Sequence, residues 1–350
     1  MPRKVFTAGE VLAASDVNTF LMNQAVMTFA GSAARSSAIP SPTEGMVTYL
    51  ADADTFQFYN GTAYASLAPS VPTMEFLVIG GGGGGARIGG SEPGGGGGAG
   101  GYRTNVVGQL TGGSATAEPA EPYLLNVAYR LTVGAGGASV AADYSPGNIG
   151  NRSVLGTITS QGGGGGRTRF TGDNATGGGG GGGNHHHTAR GLGIVGEGFN
   201  GGTGPGANNI WGSAGGGGAG ALGVSTTTTT GGAGGAGLSS NITGSATNRG
   251  GGGGGGGQVG AGAGGLGGGG AGATPNNNGT AGQANTGGGG GATTNSTSGA
   301  GGSGIVIFSV LPTTTVTFSA GVTQSSATVN GRRVYTVTAT STTSETVTFS

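Results

Sequence analysis

The sequence predicts a mostly irregular and β fold: a short N-terminal helix and β-meander, a central block of polyglycine II helices with framing β-strands, and a small C-terminal β-sheet domain. Three observations predict it. Of 350 residues, 92 are glycine and all but six of these fall within residues 80–304, which leaves few side chains there to build an ordinary core. The glycine comes in about ten tracts separated by short polar inserts such as VSTTTTT and TPNNNGTAGQANT. The tracts are entered and left through β-prone words, FLVI at 76–79 and IVIFSV at 305–310.

Composition sets three regions: a conventional mixed sequence over 1–74, a glycine-rich domain over 75–310, and a Thr-, Val- and Ser-dominated stretch over 311–350. In the first, Ser15 can cap a helix through Met27 whose apolar stripe is Val17, Leu21, Met22, Ala25 and Phe29. GMVTYLADADTFQFYNGTAYASL then reads as a three-stranded meander, 46–50, 55–59 and 63–67, turning at Ala51-Asp52-Ala53-Asp54 and at Asn60-Gly61.

The glycine tracts admit two readings. Disorder is favoured by the large backbone entropy each ordered glycine gives up. A packed block is favoured by punctuation: two further strand-like words, 127–133 and 153–160, also run straight into glycine. A polyglycine II helix has three residues per turn, about 3.1 Å rise and outward-pointing amide groups, so such helices satisfy one another side by side. Inserts then become loops at the ends of the block. The fold follows this second reading, with silk-like glycine-rich chains a more distant alternative.

In the last region, apolar and polar residues alternate around the turn signal Asn330-Gly331, giving a small β-sandwich or a sheet that continues IVIFSV, with Arg332 and Arg333 facing solvent.

Formal net charge is zero, with 13 basic and 13 acidic residues, so no nucleic-acid footprint is expected. No cysteine is present, which excludes disulfides and thiolate metal sites. MPRKVFTAGEVLAAS holds no apolar run long enough for a signal peptide or a membrane span. Gly-x-Gly-x-x-Gly words arise from composition alone, and no tract is followed by Gly-Lys-Ser or Gly-Lys-Thr. Glu92, Glu118, Glu121, Asp143, Asp173 and Glu197 form no local catalytic signature, so neither an enzyme nor a cofactor is expected. Glu118 and Glu121 read as solvated residues of a proline-stiffened loop.

Recognition surfaces favour aromatics among adaptable polar groups. Trp211 in NNIWGS is the leading contact candidate, with Phe199 and Tyr144 beside it; Trp211 read otherwise covers the end of the glycine block. His185, His186 and His187, the only histidines, share one insert. They read as an exposed contact loop, or, for His185 and His187 from three symmetry mates, as a ring around an axial ion.

The words FTAGEVLAASDVNTFLMNQAVMTFA, AARSSAIPSPTEGMVTYL and FQFYNGTAY, spanning roughly 5–67, resemble the N-terminal segment of minor tail and tail-fibre proteins of long-tailed bacteriophages, especially those of actinobacterial hosts. Such proteins often carry Trp where this chain has Tyr64. VIGGGG at the start and GGSGIVI at the end of the glycine-rich region resemble glycine-rich domains of phage minor tail proteins, and the pattern is similar to polyglycine II host-recognition tips of long tail fibres. The resemblance implies a virion protein, a homotrimer, whose 1–74 region docks to other phage tail proteins while loops on the block meet a host-surface glycan or protein receptor. A tail-tip scaffold or spacer touching only phage proteins is the alternative it leaves.

Overall fold

The computed structural model describes residues 26–67, 71–90, 92–169, 175–186, 188–207 and 209–350. These fall into two compact units, one ending at Val71 and one spanning Pro72–Ser350.

The helix expected from Ser15 lies outside the described residues, except that Met27 and Phe29 fall in a strand, Met27–Phe29, parallel to Val47–Leu50. A helix absent from the sequence reading, Ser32–Ala38, follows it. The helix stops where Ile39, at the non-helical φ −128° and ψ 76°, precedes Pro40, whose ring disfavours helical geometry in the residue before it. The meander forms as expected over Val47–Leu50, Thr55–Tyr59 and Tyr64–Ser66. Asn60 closes its second turn through Oδ1, which accepts from the N–H groups of Thr62 and Ala63 at 3.0 and 2.9 Å. The buried Arg35 lays its guanidinium 3.6 Å from the Tyr64 ring centroid, so the aromatic at 64 serves as a cation platform.

The larger unit is built on the two framing words. Thr73–Ile79 and Ile305–Val310 pair antiparallel, with Ile79 opposite Ile305 and Phe76 opposite Phe308. They form the centre of a six-stranded sheet completed by Val322–Val329, Arg332–Thr340 and Tyr102–Thr104, with the short strand Glu121–Pro122 pairing beside the path. Both words are continuous apolar runs because both faces of the sheet are buried. One face turns Phe76, Val78, Val306, Phe308 and Val310 toward a second sheet, where they pack with Leu131, Leu155, Val347 and Phe349. The other turns Leu77, Ile79, Ile305 and Ile307 toward Ala219 and Ile242 of the glycine-rich region.

The stretch expected as one strand over 153–160 is instead a hairpin, Ser153–Leu155 with Ile158–Ser160. Gly156 at φ 58° lets the chain reverse there. Asn330 and Gly331, at φ 47° and 77°, make the expected hairpin turn. The C-terminal stretch combines the two arrangements open to it: Val322–Val329 and Arg332–Thr340 continue the IVIFSV sheet, while Val316–Phe318 and Thr346–Phe349 join the second sheet packed on it, so the boundary expected at 310/311 falls inside shared sheets. Arg332 is not free in solvent as expected: it donates to Ser309 Oγ at 2.8 Å and to the Thr73 carbonyl at 2.9 Å, whereas Arg333 is exposed. Glu118 and Glu121 are also not simply solvated. Glu118 forms a two-point ion pair with Arg103, its Oε1 accepting from Nε at 2.7 Å, and Glu121 accepts from Thr157 Oγ1 at 2.8 Å.

The glycine tracts are packed threefold helices, and their hydrogen bonds show the period directly. Along the first tract, the N–H groups of Gly80, Gly83 and Ala86 donate to the carbonyls of Gly101, Gly98 and Gly95. Those of Gly81, Gly84 and Arg87 donate to Asn151, Asn148 and Ser145, and those of Gly82 and Gly85 to Gly302 and Gly299. Every third residue therefore faces the same neighbour, as three residues per turn demand. Carbonyls of the same tract accept from Gly137, Gly163, Gly166 and Gly290. Six segments thus surround one helix, and lateral backbone bonds replace a side-chain core.

Close approach, more than turning, is what this glycine serves. Gly83 has an ordinary φ, yet a Cβ built on it would lie 2.1 Å from the Gly164 carbonyl oxygen, an impossible contact with rigid backbone.

Candidate functional site

Because the tracts run up and down, the inserts alternate between two ends. Residues 80, 101, 151, 161, 287 and 304 sit at the level of the framing strands; 86, 95, 145, 167, 293 and 299 sit about six residues away, roughly 19 Å on a polyglycine II rise. The described residues of the inserts around 87–93, 139–145, 184–190, 203–213, 225–230, 257–261, 273–278 and 293–298 all lie at the end remote from the sheets. Bonds among them knit that end together: Gly89 N–H to the Thr294 carbonyl, Ser213 Oγ to the Pro93 carbonyl, Ala207 N–H to the His185 carbonyl, and Gln258 N–H to the Trp211 carbonyl. Asn276 and Asn295 bond to each other twice, at 2.6 and 2.9 Å.

This end gathers four of the six residues singled out by sequence. Tyr144, exposed and at φ 55°, has the Arg169 guanidinium 5.7 Å from its ring centroid. Arg169 Nη1 donates to Glu92 at 2.8 Å to Oε1 and 3.1 Å to Oε2. Glu92 Oε2 lies 3.4 Å from His186 Nε2. The His186 ring is 3.9 Å from that of His185, which stacks on Trp211 at 5.5 Å and 21°. Phe199 is not part of this group: its N–H bonds the Gly218 carbonyl inside the block, toward the sheet end. His187 lies outside the described residues, as do Phe170 and Asp173.

At His185 the histidine insert departs from the exposed contact loop expected of it, while the axial ring between symmetry mates also calls on His187, outside the described residues. His185 is completely buried, so in this chain it offers no outward-facing ligand or contact. Burial, reinforced by the neighbouring His186, lowers its pKa to about 4 against the raising effect of Glu92 and the Pro93 carbonyl, and the ring is neutral at physiological pH. The half-buried Trp211 both covers this ring and keeps an accessible edge. Glu92, which shows no local signature in sequence, and Arg169, which sequence does not single out, connect the group across 77 to 94 residues of chain. Glu92, His185 and His186 together place three ligand atoms within 4.8 Å of one another.

Elsewhere, Glu197 is buried at the sheet end, where its Oε2 accepts from Gln161 N–H at 2.7 Å. Burial raises its pKa, against the lowering effects of that bond and of Arg103, with Glu118 raising it further.

Among comparisons with known proteins, the model of the glycine-rich domain family matches residues 58–311, well over half of the chain. A search of curated proteins finds no match.

Proposed function

The chain belongs to the glycine-rich domain family, and from that premise we propose that it is a structural protein of a bacteriophage tail tip or tail fibre, binding the host surface through loops held on a rigid glycine block. The observation that carries the reading is the delivery of Asn-, Thr- and aromatic-bearing inserts to the end of the block remote from the β-sheets. A scaffold of laterally bonded backbone fixes those loops before contact, so engagement loses little ordering entropy. Phage origin rests on the N-terminal words that resemble minor tail proteins, and the working form is a trimer displayed in several copies, whose avidity multiplies a modest single-site affinity. Its receptor is a host-surface glycan or protein, its other partners are phage tail proteins, and its place is the virion. Its role is binding, with no catalytic step.

The test uses phage particles that carry this protein, labelled in electron microscopy with an antibody against the 274–278 and 293–298 inserts, beside an adsorption assay. Label at the distal tail with adsorption blocked is expected. Distal label with unimpaired adsorption makes the protein a scaffold contacting only phage proteins. Particles that take no label overturn the virion assignment.

A further inference from the structure

We propose that Glu92, His185 and His186 form a binding site, within one chain, for a divalent transition-metal ion of the zinc class. The site stands on the geometry of the block and is independent of what the loops recognise.

Three observations carry it. Two imidazoles and a carboxylate are a donor set suited to Zn²⁺, Co²⁺ or Ni²⁺, and the three donor atoms already lie within 4.8 Å of one another. Ligands about 2.1 Å from a tetrahedral ion stand about 3.4 Å apart. Glu92 Oε2 and His186 Nε2 are separated by 3.4 Å.

Next, His185 is fully buried, and neither of its ring nitrogens has a hydrogen-bond partner. The Pro93 carbonyl beside it accepts from Ser213 Oγ at 2.7 Å. A buried imidazole left so is costly, and an ion on one nitrogen removes part of that cost.

Finally, the carboxylate is held from behind. Arg169 takes Glu92 Oε1 at 2.8 Å and leaves Oε2 turned to His186, which is how an outer partner orients a ligating carboxylate. The weaker 3.1 Å contact from Arg169 to Oε2 is the one an ion displaces. Bound there, the ion ties the 87–93 insert to the histidine insert beneath Trp211.

Trp211 is the only tryptophan of the chain and stacks on His185, so its fluorescence reports on this site alone. The experiment titrates Co²⁺ or Ni²⁺ into chelator-treated, full-length protein. Saturable quenching at one ion per chain is expected, reversed by competing Zn²⁺, and shifted to at least about tenfold higher metal concentration by Glu92→Gln and by His186→Ala. Arg169→Gln, a positioning change, weakens binding by about tenfold while one ion per chain is kept. If His186→Ala lowers the metal-free melting temperature, Glu92→Gln alone decides. Absence of saturable quenching overturns the site, as does quenching that both ligand variants leave unchanged. Saturation at one ion per three chains also overturns it, in favour of an axial ion between copies.

Discussion

At the residue scale, the fold depends on what glycine lacks. Gly83→Ala drives a methyl into the Gly164 carbonyl, 2.1 Å from the Cβ position, and the carbonyl is fixed by neighbouring helices. The substitution is expected to cost about 3 kcal/mol or more, read by chemical denaturation. Gly196→Ala, where φ is 81° but the space is open, is expected to cost only about 1–2 kcal/mol. Equal costs at the two positions contradict lateral packing as the reason for the glycine. Glu197 tests burial at the sheet end. Its pKa lies above the ordinary 4.5 chiefly through desolvation, so the folded state prefers the protonated form. The associated stability is complete below pH 4.5 and is lost as pH rises through the raised value. Glu197→Gln, which stays neutral and can still accept from Gln161, is therefore expected to raise the melting temperature at pH 8, with the difference closing toward pH 4. A variant that melts lower than the parent at pH 8 contradicts this.

At the element scale, the framing strands are the most legible part of the chain. Phe76–Ile79 and Ile305–Val310 announce themselves as apolar runs because both of their faces are buried, and Asn330-Gly331 announces its hairpin because each residue needs positive φ. The Ser32–Ala38 helix was illegible because it buries only Arg35 and has no apolar stripe. The hairpin at 153–160 looks like a single strand in sequence because its reversal hangs on one glycine amid β-prone residues. The candidate site was half legible. Its aromatics and histidines stand out by rarity, while Glu92 and Arg169 join them only through the stacking order of tracts, which local sequence does not encode. Phe308→Ala empties the centre of the core between the two sheets, where that ring meets Tyr335 at 5.3 Å and Phe349 at 5.7 Å. A loss of about 3–5 kcal/mol is expected by denaturant titration, and a loss under about 1 kcal/mol contradicts the sandwich.

At the scale of the larger unit, the division of labour follows from topology. A β-sandwich supplies the side-chain core, and the glycine block carries inserts away from it. Backbone bonds make the block rigid without constraining insert sequence, so binding loops can vary while the helices beneath them stay fixed. That arrangement holds only if the tracts are ordered in solution. Amide hydrogen exchange followed by mass spectrometry measures this most directly. Packed tracts require that amides over 81–85, 95–100 and 251–255 be protected as strongly as those of Ile305–Val310, since each donates to a backbone carbonyl of another segment. Exchange of those glycine amides at the rate of an unstructured chain, with the framing strands still protected, would contradict it.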